Sequence, residues 1–550
     1  MKYFRAYRAK ADGFKIPTYF IESTAPDNVD DTKSFADADK EIPPDLRDKL
    51  ESLEPFCKPG HDTGDEAVKQ IAEALANGTN PNLVVMVHGF NNPEPDVLST
   101  YARAAAAVNG DSHINGRDGL VCVGYRWPSE KMGTPLKASW SALPILPTRV
   151  LYAGIAFVVL SLPFFYLARI IIKDCLEFGV SLFAHLLTLV GWILAGLILM
   201  AVILRAIVYF RDNYRASNYG VPDLIQIIRA IDQEVVKHRL LKGLKDEPEA
   251  DQRIELSFIG HSMGGFVVTN TIRTLVDVFD TPVDKLSHFG ADAPKPVKHR
   301  KKIGKVFQLK RFVLVSPDIP AETLLSNRGN FLASALSRFD EAYLFSNEGD
   351  EVLRQISTLA NYFVFPTKSN DFGFRLGNVE ILSSAFGVRH AGDDLLDDLR
   401  VGNLTLRKLY DKLQDAEAKR HGIPRRHTKP DLPGAFTYFD CTDYVEPDSS
   451  GKGLLTFALC LKLTNPAASL RWRSHLRLLY AYLFNHQKPN VHGGYFEGAL
   501  SQQLIYRLAC LGYRDTITAF QGEPALDAEC KTKQIRVLVS AGLNKVSPAG

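Results

Sequence analysis

The sequence predicts an α/β fold, a mostly parallel central sheet with helices on both faces, and three observations support it. Short apolar runs recur at residues 83–87, 120–125, 311–315 and 342–345, as expected of strands buried on both sides of a parallel sheet. Stretches with apolar residues at helical spacing, 65–77, 97–108 and 221–237, punctuate them, which places helices between strands. The third observation is the stretch 254–270, IELSFIGHSMGGFVVTN, where a strand-like run enters a Gly-Ser-Gly corner and leaves as a helix-like run.

Length and composition narrow the function classes. A chain of 550 residues allows a large core with insertions, as one elaborated domain or two. A net charge of +3 gives no global electrostatic ground for nucleic-acid binding. The seven cysteines are odd in number and lack CxxC spacing, which argues against a disulfide framework or a zinc site and fits a reducing compartment. The first residues, MKYFRAYRAKADGF, are basic without an apolar stretch, so no cleavable signal peptide is expected.

In chain order, the alternating runs KYFRAYR and IPTYFIE predict a leading pair of strands. Residues 27–65 are acidic, Pro-bearing and aperiodic, and read as a surface excursion. The helix 65–77 ends near Gly78, a suitable C-cap. Strand 83–87 then empties into His88-Gly89-Phe90-Asn91-Asn92, and strand 120–125 into Arg126-Trp127-Pro128-Ser129. The Lys- and Arg-rich stretch 294–311 reads as solvated surface turned away from the strand ends that matter for chemistry. Strand 311–315 ends in Ser316-Pro317-Asp318, and strand 342–345 in Ser346-Asn347-Glu348-Gly349-Asp350. Residues 370–433 read as a cap- or lid-like excursion and 436–444 as the closing strand. Beyond 502 a helix, a strand-like IRVLVS and a loose tail are expected.

The chemistry centres on Gly260-His261-Ser262-Met263-Gly264. Glycines at i−2 and i+2 let a strand turn at once into a helix, and the serine between them is raised on a strained tip. Gly265 adds room for close helix packing. The first helical turn offers N–H groups and a positive dipole end to an oxyanion. A glycine just past strand 83–87 lets the backbone turn its amides toward the same spot, so Phe90 N–H and Met263 N–H form the candidate oxyanion pair.

HGFNN after one strand, RWPS after the next, then GHSMGG, SPD and a late HGGYF resemble the lipase-like α/β-hydrolases, in particular bacterial serine hydrolases with HGFN and WPS motifs. The resemblance covers most of 83–129, 214–353 and the neighbourhood of His492. It implies an α/β-hydrolase fold, a Ser-acid-His order along the chain and ester cleavage through an acyl-enzyme, with a serine peptidase or acyltransferase using the same triad, or a non-catalytic membrane scaffold of the same fold, as the alternatives. Ser262 would be the nucleophile. Asp350 is the expected acid, with Asp318 second, and Asp350 also reads as a cap of the helix beginning EVLRQIS. His492 is the expected base, lying further beyond the closing strand than the pattern suggests, with His475 and His486 as rivals. His88, Gly89, Gly260, His261 and Gly264 would shape the site without acting as the base. No metal or organic cofactor is implied.

One departure is informative. Where such hydrolases run from WPS directly into a helix, this chain inserts about eighty residues. Residues 150–168 give 19 without a charge and 180–204 give 25, each long enough to cross a hydrocarbon core of about 30 Å at about 1.5 Å per residue. A two-helix membrane hairpin over 146–210 is therefore expected. Lys131, Lys137, Arg149, Arg205, Arg211 and Arg215 flank its ends, against Arg169 and Lys173 in its turn, a bias that favours a cytoplasmic hydrolase domain. The expected layout is 1–145 and 211–369 as the two parts of the hydrolase domain, 370–433 as the excursion, and 434–550 carrying the closing strand, the histidine loop and an extension. The expected partners are the bilayer and a lipid or acyl-ester substrate, since the insert follows the strand ends where ligands of parallel α/β folds gather.

Overall fold

The computed structural model describes residues 4–25, 58–129, 192, 209–275, 301–325, 331–357, 373–383, 385–392, 395–422, 432–446, 452–454, 470, 473–478 and 490–540. The chain divides into two compact units, Met1–Ser129 with Asn213–Gly550, and Glu130–Asp212. In the second unit Trp192 and residues 209–212 are described, so the two uncharged runs expected to form a hairpin otherwise lie outside the described residues. Among the described residues no helix is long and apolar enough to cross a membrane.

The first unit is mixed α/β around a twelve-stranded, mostly parallel sheet. Its strands are β1 Phe4–Lys10, β2 Thr18–Ser23, β3 Lys58–Thr63, β4 Asn82–Val87, β5 Leu120–Arg126, β6 Ile254–His261, β7 Lys302–Ile303, β8 Phe307–Val315, β9 Glu341–Ser346, β11 Gly387–His390, β14 Phe436–Asp440 and β17 Arg536–Val539. A separate small sheet holds β10 Val379–Ile381, β12 Leu399–Val401 and β13 Leu404–Thr405, and β15 Val445–Glu446 pairs with β16 Lys452–Gly453. The main order is β11-β17-β14-β9-β8-β6-β4-β5-β2-β1-β3, with β7 folding back on β8. From β2 to β14 every neighbouring pair is parallel, so β4, β5, β6, β8, β9 and β14 all end at one edge of the sheet.

The continuous apolar runs are explained by burial on both faces. Val84, Met86, Ile259, Val313, Val315, Tyr343 and Phe345 belong to one buried cluster with the helices α2 Glu94–Gly110 and α6 Ala499–Cys510. Their strand neighbours Leu83, Val85, Val87, Phe258, Leu314 and Leu344 are just as buried but point the opposite way, as alternation requires. That second face is covered by α1 Gly64–Asn77, α3 Val221–Leu241 and α4 Met263–Leu275, which pack on one another. Helix α1 begins on a capping box, Thr63 accepting from Glu66 N–H while the Glu66 carboxylate returns to Thr63 N–H.

Two stretches differ from the expectation. Within 27–65, β3 pairs antiparallel with β1 at the sheet edge; an edge strand is held by backbone bonds and needs no apolar alternation, so KPGHDT left no periodic signal. The stretch 370–433 does not stand apart as a cap. Its β11 lies beside β17 in the main sheet, its β10, β12 and β13 precede the helix α5 Leu406–His421, and its residues 375–378 buttress the loop that carries Asp350. The basic run is matched charge for charge where described: Lys301 with Asp340, Lys302 with Glu247, Lys305 with Asp246 and Lys310 with Glu255.

Candidate active site

Ser262 occupies the single residue between β6 and α4, at φ 54°. A positive φ is rare for a residue with a side chain and is kept only where the surroundings enforce it. Here three glycines do so by close approach. A Cβ on Gly264 would lie 2.3 Å from the Val87 carbonyl oxygen, one on Gly260 would lie 2.7 Å from Gly265 Cα, and one on Gly89 would lie 2.6 Å from Ser262 Cβ. Any side chain at these positions would pry α4 away from β4 and β6. The start of α4 and the Gly89–Phe90 peptide are thereby held against the serine, where an oxyanion would need their N–H groups.

The loop after β4 is fixed by a histidine and a tryptophan. The His88 and Trp127 rings stack at 5.1 Å with 7° between their planes, and Trp127 Nε1–H donates to the His88 carbonyl at 2.9 Å. Burial, then the Arg126 charge, lowers the His88 pKa to about 3, so the ring is neutral. His88 Nδ1–H donates to the Gly89 carbonyl at 2.7 Å and Nε2 accepts from Trp127 N–H at 3.2 Å. Ser129 Oγ accepts from Asn92 N–H at 3.2 Å. The WPS stretch thus clamps the HGFNN stretch, a pairing that the two motifs by themselves did not disclose.

Asp350, fully buried, sits in the loop after β9. Its Oδ1 accepts from the amides of Val352 and Leu353 at 3.1 and 3.2 Å, capping the helical turn Val352–Ser357. Its Oδ2 lies 2.6 Å from His492 Nδ1 and also accepts from the Ser316 hydroxyl. Both expected roles, cap and histidine partner, are filled by one carboxylate through different oxygens. The histidine loop is tied down separately: Asn347 Nδ2 donates to the Val491 carbonyl at 2.9 Å, and His261 Nε2–H to the His492 carbonyl at 3.0 Å. Burial, then the neighbouring His492, holds the His261 pKa down to about 3. A neutral His261 serves as a strut.

The rivals are engaged elsewhere. Asp318 Oδ1 pairs with Arg375 Nε at 3.1 Å and its Oδ2 accepts from Ser357 Oγ at 3.0 Å. His475 Nδ1 lies 2.5 Å from Glu351 Oε1. His486 lies outside the described residues. The loop 346–351 therefore ties three downstream segments with three carboxylates, because Glu348 also accepts from Leu470 N–H at 3.1 Å. Ser316 and Trp127 went unassigned in the sequence; each sits in a short motif, SPD or WPS, at a strand end, and that position was the available signal.

Two features differ from the expected raised serine. Ser262 has no exposed surface. Among the described residues neither Ser262 Oγ nor His492 Nε2 has a hydrogen-bond partner, hence the two do not bond one another; such contacts are often long before substrate arrives. Among the described residues no group of three His, Cys, Asp or Glu side chains is placed to hold a metal ion. Compared with known proteins, the chain matches no family model, no curated protein and no solved structure.

Proposed function

We propose that this protein is a serine hydrolase of the α/β-hydrolase fold that cleaves an ester, of a lipid or acyl chain, through Ser262, His492 and Asp350. The observation that carries the reading is the 2.6 Å contact of His492 Nδ1 with Asp350 Oδ2, beside a serine forced to φ 54° at a strand-to-helix turn. The sheet order and the alignment of strand ends support the fold. In the proposed cycle His492 Nε2 takes the Ser262 proton as Oγ attacks the ester carbonyl, and Asp350 fixes the tautomer and stabilises the imidazolium. The amides of Phe90 and Met263 receive the oxyanion. His492 then returns the proton to the departing alcohol, and water, activated by the same histidine, releases the acid.

A membrane hairpin over 146–210 belongs to the proposal on the strength of its two uncharged runs. The chain leaves the hydrolase unit at Ser129, just past the end of β5, at the sheet edge that carries Ser262. Retention of the full chain in the membrane pellet after alkaline carbonate washing is expected; full release would remove the hairpin from the proposal.

One observation favours a second reading, a non-catalytic hydrolase fold: the enclosed Ser262 hydroxyl without a bond to His492. A fluorophosphonate probe separates the two. Covalent labelling of the full chain, abolished in Ser262→Ala, is expected of the enzyme, and absence of labelling in detergent and in lipid would sink it.

A further inference from the structure

We propose that Ser316 is a positioning residue for Asp350, its hydroxyl holding the carboxylate oxygen that faces His492. The inference rests on the triad reading above. Ser316 follows β8 at φ 44°, the left-handed region, and is fully buried. Glycine would adopt that backbone without strain. A serine stands there instead, and its Oγ donates to Asp350 Oδ2.

The surroundings hold it in that posture. Ser316 N–H donates to the Phe345 carbonyl at 2.8 Å, and Gly377 N–H to the Pro317 carbonyl at 3.1 Å. A Cβ on Gly377 would lie 3.0 Å from Ser316 Cα, so the backbone of 375–378 presses directly on the strained residue. Strain over-determined by its neighbours is retained where a group must be held in place.

The consequence concerns the carboxylate. Two amides bind Oδ1, while Oδ2 receives the imidazole and the serine hydroxyl. Without Ser316 the side of the carboxylate that faces the base is held by the imidazole alone, and more negative charge is left on Oδ2. The first change loosens the histidine's orientation. The second leaves the imidazole facing a more negative oxygen.

Other polar side chains face the pair. His261, whose ring centroid lies 4.9 Å from that of His492, is already neutral with its pKa near about 3. Burial raises Tyr495 and Cys441 well above their ordinary values, and Asp440 is paired with Arg536 at 3.2 Å.

The test uses the full chain in detergent, with p-nitrophenyl butyrate turnover and fluorophosphonate inactivation followed at pH 7.5. Ser316→Gly removes the hydroxyl and relieves the backbone, so its melting temperature should hold or rise. Its kcat should fall about tenfold with little change in KM. Ser316→Ala should show the same kinetics and guards against a glycine-specific loosening. Either variant with wild-type kcat overturns the inference. A wild-type chain that Ser262→Ala shows to be unlabelled overturns the triad reading first, and this inference with it.

Discussion

The two halves of the candidate site are built in opposite ways. The serine half is local: β6, the turn at Ser262 and α4 occupy 254–275 without interruption, and its geometry is enforced by missing side chains at Gly260, Gly264 and Gly89. The acid–base half is assembled from 316–318, 346–353, 375–378 and 490–496, joined by side-chain hydrogen bonds across up to 144 positions. Backbone shape fails by collision, whereas a polar assembly fails when one donor or acceptor is exchanged. The two halves should therefore break under different substitutions.

The largest effect is expected on the polar side. Asp350→Asn can still accept the amides of Val352 and Leu353, but its Nδ2 cannot accept the His492 Nδ1 proton, so kcat should fall by roughly 10³–10⁴ with the urea midpoint nearly unchanged. Turnover near wild type would mean that the 2.6 Å contact is only structural. On the local side, Gly264→Ala drives a methyl group against the Val87 and His88 carbonyls and should cost about 3 kcal/mol of unfolding free energy, read from urea melts. A variant as stable as wild type would show that the turn is not held by contact.

Asp318→Asn sharpens the distinction, because Asp318 lies in the polar half without touching His492. It strips Arg375 of its carboxylate and should cost about 3 kcal/mol, while the folded fraction keeps its kcat. If kcat falls in proportion to that of Asp350→Asn, the choice of Asp350 over Asp318 is wrong.

The same contrast explains what was legible in the sequence. The strands at 83–87, 120–125, 311–315 and 342–345 were visible because burial on both faces leaves unbroken apolar runs, and the serine turn because its glycines lie beside it. The edge strand β3 left no such trace, since backbone pairing needs no side-chain pattern. Stretch 370–433 reads as a cap in the sequence because its strands are only two to four residues long, too short for a period to show. The Ser316 hydroxyl on Asp350 joins residues 34 positions apart; nothing in one sequence announces that they meet. The role of Ser316 in the motif SPD is therefore hidden in the sequence, where Asp318 stands as the second triad candidate after Asp350.

The smallest effect probes the two neutral histidines that the halves share. His88 steadies the loop beside the serine, and His261 ties the serine strand to the histidine loop. Burial depresses both to about 3 from an unfolded value near 6.5. Above pH 6.5 both are neutral, folded or unfolded, and their favourable contribution is complete. As the pH falls through 6.5 toward 3 the unfolded chain takes up protons that the folded chain refuses, and stability declines by at most about 1.4 kcal/mol per pH unit for each histidine. Urea unfolding at pH 7.5, 6.5 and 5.5 should show that decline, and His261→Gln, which keeps an N–H donor for the His492 carbonyl, should remove about half of the slope these two supply. Because Gln cannot titrate, any loss of turnover in that variant at pH 7.5 reports the strut alone, and so measures how far the local half of the site depends on the assembled one.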